Sequence, residues 1–129
     1  MSIHVETTDR LDIVDITDEV QQAIPDGFGD GLCTVFVQHT TAGVVVNEHE
    51  TRLLGDIERY LKELVPHEDG YAHDDLDGNA DSHLRTLLLD ESVSVPVRDG
   101  TLALGTWQSI LLVECDGPRT RSLSVTCTS

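Results

Sequence analysis

Alternating hydrophobic and polar positions predict four strands in the first half of the chain. Residues 3–5 and 11–14 form two short extended runs, which a turn at residues 7–10 would join. Residues 32–39 form a longer β-branched and aromatic run, and residues 42–47 form another. In the run 32–39 the alternation places Cys33, Val35, Val37 and His39 on one face, and we expect both faces of this strand to be partly covered.

Hydrophobic positions at helical spacing predict a short helix and a long one. We expect Thr17 to cap the short helix, residues 18–24, which ends before Pro25 and a glycine-rich turn. The long helix is predicted from a stripe with a period of about 3.6 residues, and Pro66 follows its end. The stripe that should pack on a sheet consists of Leu53, Leu54, Ile57, Tyr60, Leu61 and Leu64.

The segment 67–80, HEDGYAHDDLDGNA, is predicted to be a loop. It contains five acidic residues, two glycines and two histidines with almost no apolar side chain, and loops this long and polar are often functional. A third helix should begin near Asp81 or Ser82. From its periodicity we expect it to bury Leu84, Leu87 and Leu88.

The last forty residues again show the pattern of strands. Residues 93–97 alternate, residues 101–114 are apolar with a break at Gly105, and residues 123–127 alternate to the end of the chain. Asp99-Gly100 and the DGPR sequence at 116–119 are turn signals. Because strands outnumber helices and are separated by short turns, we predict a single α+β domain over residues 1–129, with a largely antiparallel sheet and two to three helices.

Composition restricts the partners and the environment of this domain. The chain has 129 residues, with 24 Asp and Glu against 8 Lys and Arg, and a net charge of -16. Binding to the nucleic-acid backbone is therefore not expected, since it depends on basic side chains. No run of about 20 apolar residues and no signal-peptide pattern is present, so we expect no membrane association and a cytoplasmic protein. The near absence of lysine beside this surplus of acids predicts a halophilic protein, whose self-repulsion multimolar salt would screen.

The three cysteines, Cys33, Cys115 and Cys127, form no closely spaced pair. An odd count argues against a disulfide framework, and none has a basic neighbour that would lower the pKa of its thiol. We expect the cysteines to be small buried side chains in a reducing compartment and not to form a zinc knuckle.

Histidines are the first candidates for chemistry. His39 ends a strand, His73 lies in the acidic loop, and His83 begins a helix, while His4 and His67 are expected to be solvated. If the first three converge, they could hold a divalent metal, zinc or magnesium, with an open position and a carboxylate from Asp74, Asp81 or Glu48. The alternative is that His39 is a hydrogen-bonded core residue and the other two cap turns.

Arginines and a tryptophan-containing block are further candidates. Arg119 and Arg121 flank the DGPR turn, and their planar side chains suit a phosphate clamp. The alternative is ordinary ion pairing with neighbouring acids. Trp107 and Gln108 could line a pocket, although a single tryptophan more often belongs to a core.

Several motifs together resemble the YjbQ family, also called UPF0047 and described as secondary thiamine-phosphate synthases. The blocks are QHTTAGVVVNE at 38–48, YAHDDLDGNADSHLR at 71–85, the VPVRDG turn at 95–100 and GTWQSILLVECDGPRTR at 105–121, and they span almost the whole chain. The resemblance implies a sandwich-like fold, a homotrimer with pockets near subunit boundaries, and a small phosphorylated molecule as ligand. It places the polar cluster of the family on His39, Thr40, Asn47, Glu48, His73, Asp74, Asn79, His83, Gln108 and Arg121.

The activity implied by the resemblance joins a hydroxymethylpyrimidine diphosphate to a thiazole phosphate and releases pyrophosphate. In this hypothesis the catalytic residues are Glu48, His83, Gln108 and Arg121. Substrate binding is assigned to Thr40, Asn47, Asn79, Arg119 and Arg121, and metal binding to His39, His73 and His83. The alternatives are a metal-dependent hydrolase of a phosphorylated small molecule and a non-catalytic trimeric protein that binds a metabolite.

Overall fold

The computed structural model describes all 129 residues, which form two antiparallel sheets packed as a sandwich. The strands are β1 (Ser2–Glu6), β2 (Asp12–Asp15), β3 (Gly31–Val37), β4 (Ala42–Asn47), β5 (Ser92–Arg98), β6 (Thr101–Leu102), β7 (Ser109–Glu114) and β8 (Thr120–Thr128). The larger sheet has the order β1-β8-β3-β5-β6, and the smaller one has the order β2-β7-β4. The predicted α+β class and the largely antiparallel sandwich are confirmed.

The main core lies between the two sheets. Cys33, Val35 and Val37 of β3 point into it, as the alternation predicts, and pack with β7 residues such as Ile110 and Leu112. The opposite face of β3 is more open than expected, because Leu32 and Phe36 are each 46% exposed. The larger sheet therefore has one packed face and one open face.

The helices are α1 (Thr17–Ala23), α2 (Thr51–Leu64) and α3 (Ala80–Thr86), and a 3-10 turn spans Ala72–Asp75. Helix α2 packs on the outer face of the smaller sheet through Leu61, which is buried with Leu11, Val113 and Cys115. Tyr60 and Leu64, at the edges of the predicted stripe, remain largely exposed. None of the helices is long and apolar enough to cross a membrane.

Two local predictions about helices are wrong. Thr17 is the first residue of α1 rather than its cap, and Asp15 accepts the Thr17 backbone N–H instead, at 3.0 Å. Helix α3 begins at Ala80, and Leu87 and Leu88 after its end are 78% and 52% exposed. The face that α3 buries is largely polar, because ion pairs rather than hydrophobic contacts hold the helix in place.

The edge of the larger sheet is closed by a turn and by a side chain of α1. Asp99 and Gly100 both have positive φ, at 49° and 75°, as a two-residue hairpin turn between β5 and β6 requires. The Gln21 amide donates to the carbonyl oxygen of Gly100 at 2.8 Å and accepts from the Leu102 N–H at 3.0 Å. This amide therefore occupies the place of a further strand beside β6.

Candidate functional site

A cavity of about 880 Å³ lies at one end of the sandwich, where β3 and β7 end and β4 and β8 begin. The segment before α3 covers it from the side. Every lining residue is polar, charged or glycine, and we call this space the polar cavity. Its lining consists of Arg10, Gln38, His39, Thr40, Thr41, His67, Asp77, Gly78, Asn79, His83, Asp116, Arg119 and Arg121.

Glu114 and Arg121 form a buried ion pair beneath the polar cavity. Both are almost inaccessible to solvent, at 0% and 1% exposure. Arg121 donates through Nε to Glu114 at 2.8 Å and through Nη2 to Glu114 and to the Thr41 hydroxyl oxygen. The Thr7 hydroxyl also donates to the Glu114 carboxylate, at 2.8 Å. Nη1 of Arg121 has no partner in the protein, so one edge of the guanidinium remains available to a ligand in the cavity.

The DGPR turn brings Arg119 to the same cavity. The Asp116 carboxylate accepts from Nη2 of Arg119 at 3.1 Å, and the Asp116 carbonyl oxygen accepts from its Nε at 2.8 Å. About half of the Arg119 side chain is exposed. Gly117 allows the tight turn, because a Cβ there would overlap the carbonyl oxygen of Asp9. Both arginines therefore reach the predicted site, and each is also paired with a neighbouring acid.

A second buried carboxylate, Asp81 on α3, lies on the other side of the cavity. Two nitrogens of Arg10 donate to it at 2.7 and 3.0 Å, and Arg85 approaches it at 3.1 Å. Nδ1 of His67 is 3.0 Å from the same carboxylate. Burial raises the pKa of this carboxyl group, but the hydrogen bonds from Arg10 and His67 outweigh burial and lower its pKa from 3.8 to about 2. Asp81 is therefore ionised and holds Arg10 and His67 in position.

His39 presents a neutral imidazole to the polar cavity. Burial lowers the pKa of His39, and the positive charge of Arg121 lowers it further. Nε2 accepts the Ser122 backbone N–H at 2.8 Å, so the proton of the neutral ring is on Nδ1. His39 is thus suited to donate a hydrogen bond to an anion.

The structure brings together two of the three histidines that were predicted to bind a metal. His73 and His83 are adjacent, with ring centroids 4.8 Å apart in an edge-to-face arrangement. His39, however, uses the lone pair of Nε2 for Ser122, and Nδ1 carries the proton. No group of three His, Cys, Asp or Glu side chains is arranged to hold a metal ion. A divalent ion at His39, His73 and His83 remains a prediction, which metal analysis of wild-type protein and of His73→Ala would test.

Asn79 supplies an unsatisfied acceptor at the cavity. Its amide nitrogen donates to the Asp116 carboxylate at 2.9 Å. Its side-chain oxygen is buried and has no hydrogen-bond partner in the protein. A buried acceptor without a donor is costly, so a ligand with a hydroxyl or amine group could satisfy it.

The structure divides the predicted site residues into two groups. His39, Thr40, Asn79, His83, Arg119 and Arg121 line the polar cavity, and His73 contacts His83. Asn47, Glu48 and Gln108 lie at the opposite end of β4 and β7, where Asn47 pairs with Ser109. Ala42 pairs with Glu114 at the cavity end, five residues away along β4. At a rise of about 3.4 Å per residue, the two ends are about 17 Å apart. We call Asn47, Glu48, Trp107 and Gln108 the far-end cluster.

Sequence reasoning missed three residues that build the cavity, Arg10, His67 and Glu114, and it named Asp81 only as a possible carboxylate ligand of a metal. His67 is partly exposed, as expected, but Asp81 fixes its ring at the cavity wall. A usable signal was present in two places. Glu114 is a single acid at the end of the apolar run ILLV, and Asp81 and Arg85 are four residues apart on one helix.

Positive charge is concentrated at the cavity in an otherwise acidic chain. Arg10, Arg119 and Arg121 line the cavity against only Asp77 and Asp116, an excess of one positive charge. When the buried groups Arg85, Asp81 and Glu114 are included, four of the seven arginines face four acids, so the region is close to neutral rather than acidic. A molecule with a net charge of -16 thus has a local site where an anionic ligand is not repelled.

Comparison with known proteins matches this chain to one family. The model of the YjbQ-like UPF0047 proteins matches residues 1–129. A UPF0047 protein of Archaeoglobus fulgidus is 50% identical over 125 residues, covering 97% of this chain and 98% of the relative. The UPF0047 protein YugU of Bacillus subtilis is 35% identical over 123 residues, covering 94% and 92%.

Solved structures agree with this match. A YbjQ-like protein of unknown function from Sulfolobus solfataricus has a TM-score of 0.94 and 42% identity, covering 98% of this chain and 94% of its own. A hypothetical protein from Aeropyrum pernix has a TM-score of 0.95 and 41% identity, covering 100% and 97%.

Proposed function

Because the chain belongs to the YjbQ-like UPF0047 family, we propose that its polar cavity binds phosphate groups and that the protein synthesises thiamine phosphate. In this reaction the thiazole nitrogen attacks the methylene carbon of the pyrimidine diphosphate. The carbon–oxygen bond to the diphosphate breaks, and pyrophosphate leaves. The observation that carries the proposal is a cavity without a hydrophobic side chain, lined by three arginines in an acidic protein.

The free donors of the cavity suit the leaving group. Nη1 of Arg121 has no partner in the protein, and neutral His39 carries a proton on Nδ1. Such donors stabilise the charge that develops on the diphosphate oxygen, and they are held in place before the substrate binds. Arg119 is more exposed and would bind the outer phosphate. Each arginine keeps its acidic partner, so phosphate binding adds contacts without breaking an ion pair.

A smaller adjoining cavity offers room for a substrate ring. It has a volume of about 340 Å³ and shares His39, Thr40 and His83 with the polar cavity. Ala42 and Leu87 add the apolar surface that the polar cavity lacks. In the proposal, the phosphates lie in the polar cavity and an aromatic ring packs against Leu87. The exposed position of this leucine would allow that contact.

The homotrimer belongs to the same proposal. Glu48 and Gln108 lie about 17 Å along the strands from the cavity end, so they cannot act at the cavity of their own chain. A neighbouring copy would then supply its far-end cluster, including the exposed Trp107. Mixing Glu48→Ala with Arg119→Ala chains tests this arrangement: mixed assemblies regain activity only if one site takes residues from two copies. A light-scattering mass of a monomer, or no recovery on mixing, would reject it.

The decisive experiment measures thiamine phosphate and pyrophosphate formed from the two substrates in multimolar KCl. Arg119→Ala should reduce the rate at least about tenfold, because one charge-assisted hydrogen bond to phosphate is lost. The matched control is Arg98→Ala, which removes an exposed arginine outside the cavity. Binding of both substrates with no product would leave the protein as a non-catalytic receptor. Equal rates in both variants would remove Arg119 from the site.

A second candidate function, hydrolysis of a phosphorylated small molecule, is favoured by the His67–Asp81 pair. A buried carboxylate that orients an imidazole is a common arrangement for activating water. Release of phosphate without the thiazole substrate, reduced in His67→Gln but not in His4→Gln, would support hydrolysis. His4 is the control because it is exposed on β1, away from the cavity.

The surplus of acidic residues supports the halophilic prediction as part of the proposal. The unfolding midpoint should rise between low salt and multimolar KCl, because salt screens the repulsion of 24 acidic side chains. A midpoint that does not change with KCl would contradict it.

A further inference from the structure

Two of the three cysteines, 94 residues apart in sequence, lie directly opposite each other on neighbouring strands. Cys33 of β3 pairs with Cys127 of β8 in the antiparallel register. Their sulfur atoms are 2.8 Å apart, and both are free thiols. Cys115, the third cysteine, is buried elsewhere, against α2.

The two thiols differ in exposure, which assigns them different roles. Cys33 is completely buried, and Cys127 is partly exposed beside a cavity of about 420 Å³. Burial, and then the hydrogen bond from Cys127, raises the pKa of Cys33 to about 12, so its thiol is protonated at neutral pH. A small oxidant can therefore reach Cys127, whereas the protein shields Cys33 from direct attack.

We propose that Cys33 and Cys127 form a reversible oxidation site, in which hydrogen peroxide converts the two thiols into a disulfide across β3 and β8. The proposal is independent of the reaction in the polar cavity. It also departs from the expectation of inert cysteines, because the sequence gives no indication that residues so distant become neighbours.

The chemistry balances with peroxide as the only oxidant. The Cys127 thiol gives up its proton, and Sγ attacks one peroxide oxygen; the oxygen–oxygen bond breaks, sulfenic acid forms, and the departing hydroxide takes up that proton to leave as one water. Sγ of Cys33 then attacks the Cys127 sulfur, the sulfur–oxygen bond breaks, and the thiol proton leaves with the hydroxyl group as a second water. In sum, two thiols are oxidised to one disulfide and one peroxide is reduced to two waters.

The backbone geometry allows the bond without rearrangement of the sheet. Directly opposed residues of antiparallel strands have Cα atoms about 4.5 to 5.5 Å apart, within the range of about 4.4 to 6.8 Å found for disulfides. The sulfur atoms need to approach by less than about 1 Å to reach a bond of about 2.05 Å. Small side-chain rotations can supply this movement.

The disulfide would join two strands that build the polar cavity. Strand β3 leads into His39, and β8 carries Arg121 near its start. Linking residues 33 and 127 restricts the unfolded chain, so the oxidised protein should be more resistant to unfolding.

The test treats fully reduced wild-type protein with a small molar excess of hydrogen peroxide. We expect the count of free thiols in denatured protein to fall from three to one, with a Cys33–Cys127 cross-linked peptide that dithiothreitol removes. The unfolding midpoint should rise by roughly 5 to 15 °C and return on reduction.

Three variants make the result specific. Cys115→Ala should form the same cross-link and keep the thermal shift, whereas Cys127→Ala should lose both. Cys127→Ala changes a partly exposed position and is expected to fold, so its failure to cross-link is interpretable. In Cys33→Ala, Cys127 should stop at sulfenic or sulfinic acid. A wild-type protein that keeps all three thiols, oxidises only one, or cross-links only between chains would overturn the proposal.

Discussion

The two ends of strands β4 and β7 carry polar residues of similar kind in opposite surroundings. At the cavity end, Glu114 is fully buried and accepts hydrogen bonds from Arg121 and Thr7. At the other end, the Glu48 side chain makes no hydrogen bond or ion pair, and Gln108 is exposed and bonds only to the Gly105 N–H beside it. A fully buried carboxylate must be paired, whereas a partly exposed one such as Glu48 can be hydrated without a protein partner. The buried charges of the cavity end are therefore paired within the chain, whereas Glu48 at the far end has no partner within it.

The largest difference between the two ends should appear on removal of a buried charge. Glu114→Gln leaves Arg121 buried without its counter-ion, and we expect a loss of about 3 to 5 kcal/mol in the free energy of unfolding. Denaturant unfolding in multimolar KCl measures this loss. The control is Glu48→Gln, the same change at the far end. A loss below about 1 kcal/mol in Glu114→Gln would show that the pair contributes little.

Acid should weaken the cavity end through Asp81. The pKa of Asp81 in the folded protein is about 2, below the 3.8 of the free group, so the unfolded chain binds a proton first. The resulting stabilisation of about 2 kcal/mol is present above pH 4 and is lost as the pH falls towards 2. Unfolding free energies measured across this range should fall less steeply in Asp81→Asn than in wild type. Parallel curves for the two proteins would contradict this role.

Protonation of His39 should lower the free energy of unfolding in a pH range above the one in which Asp81 acts. Its pKa lies below 6.5 in the folded state, so the unfolded chain takes up a proton first as the pH falls below 6.5. Stability should therefore decrease on moving from pH 7 towards pH 5, with a smaller slope in His39→Gln. NMR titration of the ring protons measures the pKa directly. A value at or above 6.5 would remove this contribution.

Replacement of Arg119 should weaken ligand binding with little effect on stability. Because its side chain is half exposed, Arg119→Ala should lower the free energy of unfolding by less than about 1 kcal/mol. The affinity for inorganic pyrophosphate, measured by calorimetry, should nevertheless fall about tenfold. Unchanged affinity would mean that the Asp116 pair occupies this arginine completely.

The smallest effect is expected at the far end. Glu48→Gln should change the free energy of unfolding by no more than about 0.5 kcal/mol, since the side chain has no partner to lose. It should also leave pyrophosphate affinity unchanged. A larger destabilisation would show that a second copy engages Glu48, as in the proposed homotrimer, and analytical ultracentrifugation would test whether the chains assemble.

Periodicity predicted most of the fold because burial in a two-sheet sandwich imposes a period of two. The core face of β3, the long helix α2 and the Asp99-Gly100 turn all follow from local patterns. The buried face of α3 could not be predicted in this way. The leucines at helical spacing indicated an apolar buried face, but the residues that α3 buries are mainly polar. Asp81 and Arg85 are buried there because Arg10, 71 residues away from Asp81, completes the network.

For the candidate site, motif resemblance named some residues that the fold brings together and others that it separates. His39, Asn79 and Arg121 do converge, although they belong to three separate segments of the chain. Glu48 is nine residues from His39 in sequence, yet β4 carries it to the opposite end of the sheet. Proximity along a strand is thus a poor guide to proximity in a site, because each residue adds about 3.4 Å in one direction.

The amide of Gln21 has a consequence for the solution behaviour of the protein. Open sheet edges present free backbone groups to which other chains can add, and they are common starting points for aggregation. At β6 these groups are already satisfied by Gln21, which donates to Gly100 and accepts from Leu102. One side chain on a seven-residue helix thereby protects one of the two edges of a five-stranded sheet, and it does so without the charge repulsion that high salt would remove.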